Sequence, residues 1–261
     1  MLLFSQYSYS ACDNHCHIKT KQEVKMKKLV QVFAIIMIAF GVTISASAKQ
    51  YKKFEPIQTP QPTNDPDKVE VLSIFAYSCG HCYQFHSEHL DHWEKPDGVD
   101  YIGVPALFNK SNEHLVRAYH TAVILGIVDE FHPAVFTSYK KNKKAVKDKE
   151  ALAKFATAYG VTEHEFLDTY ESFAVEVKVS QAKQIMKNYR IHSVPTVIVN
   201  GKYKVSASIT GGHAQVIKSM DELIAQEKAA MGIPERDPSK APVKKVKVTK
   251  VETKKTDTKV K

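Results

Sequence analysis

The chain reads as an α/β protein in which a small mixed sheet carries an inserted block of helices. Three observations lead there. Val69 to Tyr77 is an apolar run that ends where a helical pattern begins, which is a buried strand feeding a helix. Ser111 to Arg190 holds almost no glycine or proline and passes through several amphipathic patterns in succession. Beyond it, Pro195-Thr196-Val197-Ile198-Val199 is β-branched, Asn200-Gly201 is the strongest short hairpin signal, and Lys202 to Val205 supplies the returning strand. Strands that flank a helical block need helices to cover their apolar faces.

Taken in order, residues 49–68 hold four prolines and little apolar periodicity, and are expected to be an extended lead-in. After the first strand, Cys82, Phe85, His86, His89, Leu90 and Trp93 fall at helical spacing. Pro96-Asp97-Gly98 signals a turn, and Val99 to Pro105 a second strand. Helices are expected over His114–Ile127, Asp129–Lys140, Lys149–Tyr159, Thr162–Phe173 and Val175–Tyr189. Asp129 ahead of an apolar run and Thr162 with Glu165 are their capping signals. A last helix, His213 to Met231, completes the covering set. The predicted organisation is a sheet domain from 69–110 and 189–233, with 111–188 as the helical insert.

The ends of the chain carry different information. Met26-Lys27-Lys28, an apolar core from Leu29 to Val42 and Ala46-Ser47-Ala48 have the form of a cleavable secretory signal over about 26–48, with cleavage near Ala48. An uncleaved anchor is the weaker reading, because the end of this stretch is small and polar. Residues 1–25 precede a good start at Met26 and show no recognisable fold; their Cys12, His15, Cys16 and His17 are not expected to matter. The net charge of +9 is uneven: residues 1–48 carry +3, residues 234–261 carry +6, and the remainder holds 22 residues of each sign. The basic balance therefore belongs to the leader and the tail, and no specific nucleic-acid binding is expected from the folded part. The Lys-rich tail, 234–261, has no aromatic residue and cannot bury enough surface to fold alone. It is expected to be disordered, with loose attraction to anionic surfaces as the alternative.

Cys79-Gly80-His81-Cys82 sets two thiols one turn apart at the start of a helix. Unpaired N–H groups and the positive end of the helix dipole favour a thiolate there, and a lowered thiol pKa makes a cysteine reactive. A structural zinc site needs four ligands, and the only other cysteines, Cys12 and Cys16, lie upstream of the leader. A purely structural disulfide would close a four-residue loop that constrains the unfolded chain little. Redox chemistry is the reading that remains, with no metal and no other cofactor expected.

The run Ala76-Tyr77-Ser78-Cys79-Gly80-His81-Cys82-Tyr83-Gln84-Phe85, the helical insert, and Ser193-Val194-Pro195-Thr196 ahead of a hairpin together resemble the DsbA family of bacterial periplasmic thiol:disulfide oxidoreductases. The resemblance implies a thioredoxin-like fold over about Val69 to Met231, and a cis proline at Pro195 beside the cysteine pair. It also implies backbone at Val194 where an unfolded substrate segment can pair, with Gly80 and Tyr83 close enough to touch that substrate. Cys79, nearer the surface, is the expected nucleophile-accessible sulfur and Cys82 the buried resolving partner. His81 is expected to add a hydrogen bond or positive charge at the Cys79 sulfur. The implied setting is the periplasm, with reduced or unfolded exported proteins as substrates. A quinone-linked membrane oxidoreductase of the DsbB type is the implied reoxidant, and the chain is expected to be a monomer.

Two departures stand beside the resemblance. Familiar members have proline where this chain has Gly80, which leaves the turn less rigid and the poise less oxidising. A buried carboxylate often precedes the first cysteine by six residues, where this chain has Ser73; Glu70 points to the opposite face of the strand. The proton step at Cys82 is therefore expected to be slower, or served by water. His86, His89 and His92 subtend too wide an arc for one metal site and are read as a partly solvated helix face. Tyr83, Phe85 and Trp93 read foremost as packing residues. Two other functions fit the same residues: a disulfide isomerase or reductase on this fold, and a chaperone-like binding protein that holds clients without redox turnover.

Overall fold

The computed structural model describes residues 51–234. The leader, the Cys12–His17 cluster and the tail beyond Pro234 lie outside the described residues. The sheet has five strands, β1 (Glu55–Pro56), β2 (Val69–Phe75), β3 (Val99–Pro105), β4 (Thr196–Val199) and β5 (Tyr203–Val205), in the order β1-β5-β4-β2-β3. Only β2 and β3 are parallel, in register from Val69↔Val99 to Phe75↔Pro105. All seven residues of β2 are buried, as expected of a central strand covered on both faces. The β4–β5 hairpin turns through Asn200 and Gly201, both at positive φ (50° and 65°), the geometry that Asn-Gly predicts. Gly201 is required twice over, because a Cβ there would sit 2.2 Å from the Gln61 carbonyl oxygen.

Helix α1 (Gly80–Glu88) follows β2, and a 3₁₀ turn (Leu90–His92) follows α1. Between β3 and β4 lie α2 (Glu113–Ile124), α3 (Val128–Lys141), α4 (Lys149–Ala156), α5 (Glu163–Tyr170) and α6 (Phe173–Asn188). After β5 come the single turn α7 (Ala207–Thr210) and α8 (His213–Met231). Alternation along β2 divides the core. Val69 and Val71 pack with Phe85, Met220, Leu223 and Ile224 on the α8 side. Leu72 and Ile74 pack with Val104, Ala182 and Ile198 on the α6 side. Phe75 and Tyr77, at the end of β2, join Cys82 to the aromatic core of the helices around Phe131, Phe136 and Phe166. One core thus ties the cysteine turn to the helical block.

The Thr162–Glu165 capping box forms in both directions, at 3.2 Å to the Glu165 N–H and 2.9 Å from the Thr162 N–H. Asp129 is not a cap: Ile127 occupies that position without a side-chain bond, and Asp129 sits in the first turn, where the dipole favours a carboxylate. The expected helix from Cys82 to Trp93 is also shorter, ending at Glu88. Trp93 lies beyond the 3₁₀ turn, where its indole donates to Asp221 on α8 at 2.8 Å. The lead-in contributes a strand that its composition concealed. Backbone bonds from Ile57 to Lys202 and Gln61 to Gly201 tie it along the hairpin, one from Lys52 to Ile209 ties it to α7, and only two residues of it pair with β5.

Candidate active site

Cys79 is the N-cap of α1, with extended backbone (φ −94°, ψ 115°), and its sulfur accepts from the Cys82 N–H at 3.3 Å. That bond is ordinarily made by a Ser, Thr, Asp or Asn oxygen; here it places the sulfur among the unpaired N–H groups of the first turn. The Cys79 thiol also faces the Val194 carbonyl at 3.5 Å, across the cis Val194–Pro195 bond. Cys82, one turn in, is 2% exposed, and both thiols are free.

The two thiols titrate as a pair with opposite fates. The Cys82 thiol donates to the Cys79 sulfur and, with the backbone N–H groups of Cys82 and His81 and the His81 charge, outweighs burial and lowers the Cys79 pKa to about 6. The same hydrogen bond requires the Cys82 proton, and burial adds to it, so the Cys82 thiol is pushed far up. A thiolate at Cys79 held by a thiol at Cys82 is the arrangement a disulfide exchange centre needs.

The other residues singled out in the sequence divide. Gly80 and His81 are exposed beside Cys79, and a Cβ at Gly80 would meet nothing within 4 Å, so this side of the turn is open. Val194 offers its carbonyl to Cys79, and Pro195 shares a cleft with Cys82. Tyr83 is half-buried, its ring capped by the Lys140 ammonium at 4.4 Å. Ser73 is buried in the cleft beside the Tyr101 phenol. Glu70, on the opposite face, accepts from Asn64, and burial raises its pKa.

The three histidines after Cys82 do not form one solvated face. His86 turns into the cleft and bonds Asp91 at 2.9 Å, His89 lies 5.9 Å from the His213 ring, and His92 belongs to the 3₁₀ turn. The helix ends early, and each ring then follows a different neighbour. No group of three or more His, Cys, Asp or Glu poised to hold a metal occurs among the described residues. Sequence reasoning missed His132 of α3, which bonds the Tyr77 hydroxyl at 2.7 Å and stacks edge-on against His86 at 4.6 Å between ring centroids. Burial lowers its pKa well below the usual histidine range. No signal in the sequence links it to Tyr77, 55 residues away.

A family model described as a DSBA-like thioredoxin domain matches residues 86–215. The thiol:disulfide interchange protein DsbA of Pseudomonas syringae pv. tomato is 33% identical over 210 residues, covering 78% of this chain and 98% of that one. The chain belongs to the DsbA family. The protein of the same name from Pseudomonas aeruginosa PAO1 is 33% identical over 209 residues, covering 78% of this chain and 99% of its own. The crystal structure of Pseudomonas aeruginosa DsbA superposes with a TM-score of 0.64 at 33% identity, over 69% of this chain and 95% of that one. The thioredoxin-like architecture is thereby shown.

The lowered Cys79 pKa has a measurable sign. Because the folded value, about 6, lies below the free thiol's 9.0, Cys79 stabilises the reduced protein fully above the free value, and loses that contribution as pH falls through about 6. The disulfide form has no such group. The Tm of the reduced form minus that of the oxidised form should therefore climb between about pH 6 and pH 9 and level off below, and alkylation of Cys79 should show an inflection near pH 6. A gap that ignores pH would remove the Cys79 thiolate as its source.

Proposed function

We propose that the chain is a thiol:disulfide oxidoreductase that donates a Cys79–Cys82 disulfide to reduced, unfolded exported proteins. A substrate thiolate attacks the Cys79 sulfur, the disulfide opens with Cys82 as leaving group, and a mixed disulfide forms at Cys79. A second substrate thiolate then attacks the substrate sulfur of that bond, and Cys79 leaves as a thiolate. The observation that carries this reading is the pairing of a low-pKa sulfur at the α1 N-cap with a buried, high-pKa partner one turn away. His81 supports the thiolate through its N–H and charge. The Val194 backbone before Pro195 offers an extended substrate a strand to pair with, and the open side at Gly80 leaves room for it. Tyr83 borders the same turn.

The setting that fits this chemistry is the periplasm, reached through the leader at 26–48 and its removal near Ala48. The working species is a monomer, reoxidised by a quinone-linked membrane protein of the DsbB type. One observation favours a second reading on the same fold, an isomerase or reductase: with a Cys79 pKa of about 6 the reduced state is held less strongly than a lower pKa would hold it. The reduction potential, measured against glutathione buffers, separates the two. A value toward about −120 mV, the oxidising end for this family, supports the oxidase. A value toward about −270 mV, that of thioredoxin, overturns it in favour of a protein kept reduced by an electron donor.

A further inference from the structure

Disulfide exchange at this site leaves one proton without a carrier. Cys82 departs as a thiolate in a place that strongly prefers its thiol, and during reoxidation that thiol must be deprotonated before its sulfur can attack Cys79. Ser73, six residues before Cys79, has a hydroxyl that does not titrate in the working range, and Glu70 is bound to Asn64 on the far face of the sheet. A basic side chain stands on α1 itself. His86 follows Cys82 by one turn, so the two side chains are neighbours on one helix face, and both line the cleft that Pro195 closes.

Asp91 determines which nitrogen of His86 is free. Its carboxylate lies 2.9 Å from Nδ1 and, when ionised, can only accept, so Nδ1 carries the proton and Nε2 is left basic. The ring is held against His132 at 4.6 Å and Phe136 at 5.4 Å, both on the cleft wall. We propose that the His86–Asp91 pair takes and returns the Cys82 proton, replacing the carboxylate that position 73 lacks. This rests on Cys82 being the resolving thiol of the reading above.

In reoxidation, the Cys82 S–H bond breaks toward His86 Nε2, directly or across one water. The Cys82 sulfur bonds the Cys79 sulfur, and the partner sulfur joined to Cys79 leaves as a thiolate. The imidazolium so formed is paired with Asp91. It then gives the proton to solvent, and in the donating direction the ring takes one from solvent and passes it to the Cys82 thiolate. Burial lowers the His86 pKa and Asp91 opposes that shift, so the ring is a neutral base at neutral pH. Several groups facing it from other elements do not compete as bases. His132 of α3 is held neutral by burial, and burial pushes up the phenols of Tyr77 after β2, Tyr101 of β3 and Tyr119 of α2. Asp129 and Glu130, in the first turn of α3, are the carboxylates on the cleft wall that can also take a proton, but both stand on another helix, whereas His86 shares one face of α1 with Cys82.

The test uses the reduced protein and the chromogenic disulfide dithiobis(nitrobenzoate) in a stopped-flow instrument. Attack by Cys79 releases one coloured thiol, and attack by Cys82 on the resulting mixed disulfide releases a second. Proton transfer by a positioned side chain is worth roughly 10²-fold or more. His86→Gln should therefore slow the second release by about 10²-fold at pH 7 and move its pH inflection toward the range of an unassisted thiol, leaving the first release and its pH profile unchanged. Asp91→Asn should slow the second release less and, because Asp91 raises the His86 pKa, move its inflection to lower pH. An unchanged second release in folded His86→Gln overturns the proposal. If that variant lacks a cooperative melt, Asp91→Asn decides, and an unmoved inflection there overturns it equally. A wild-type protein that releases only one equivalent would instead overturn the resolving role of Cys82.

Discussion

Replacing Cys82 by serine should leave the protein joined to its substrate. Cys79 keeps its place at the α1 N-cap in this variant, still among N–H donors, but loses the Cys82 thiol that is the largest cause of its lowered pKa. It should remain a competent sulfur with a higher pKa and therefore be a poorer leaving group. If Cys79 is first charged with thionitrobenzoate, a protein bearing a single cysteine should displace the dye and stay attached, visible as a thiol-sensitive adduct on a non-reducing gel. Wild-type protein treated alike should eject the dye through Cys82 and form no adduct. Cys79→Ser should neither take the dye at the active turn nor donate a disulfide, so turnover falls to the uncatalysed background. Adducts that form equally well on Cys79→Ser would place the exchanging sulfur at Cys82 and reverse the proposed roles.

The largest effect on stability is expected far from the sulfurs. Phe131 is 0% exposed, and its ring lies 5.8 Å from Phe155, 5.7 Å from Tyr159 and 5.8 Å from Phe166, joining α3 to α4 and α5. Phe131→Ala removes a ring that its neighbours cannot fully replace, a change that costs about 3–5 kcal/mol. Stability for a domain of ordinary size is roughly 5–15 kcal/mol in total. With a Tm shift of roughly 2–4 °C per kcal/mol at this length, the oxidised protein should melt about 6–20 °C lower, and Phe131→Leu should recover most of the loss. His132 and Phe136 share α3 and its cleft wall, so Phe131→Ala should also weaken the second release of dye before the first. A loss under about 1 kcal/mol would mean that the helical block closes around the hole.

What could be read in the residues, and what could not, follows from how far apart the interacting groups stand in the chain. Cys79, Gly80, His81 and Cys82 are adjacent, and the strand-to-helix boundary that positions them is marked where an apolar run gives way to helical spacing. The Asn200-Gly201 turn and the Thr162–Glu165 box are likewise complete within a few residues, and each is present with its expected bonds. Val194 and Pro195 needed the family resemblance, because nothing local ties them to a cysteine 115 positions away. His86 and Asp91 are close in sequence, yet their contact depends on α1 ending at Glu88, and the apolar spacing through Trp93 argued for a longer helix. His132 was out of reach: its bond to Tyr77 exists only because α3 packs across the end of β2. β1 escaped notice because two residues cannot show an alternation.

That two-residue strand has a bearing on solubility. A sheet ends in a row of backbone groups able to recruit another chain, and natural proteins blunt such edges. Here the outermost strand on one side is as short as a pair allows, and its second residue, Pro56, has no N–H to offer. An extended polypeptide arriving at that border finds too few donors to zip onto. The β1 margin of the sheet is thereby kept unreceptive to a chain that would pair along it.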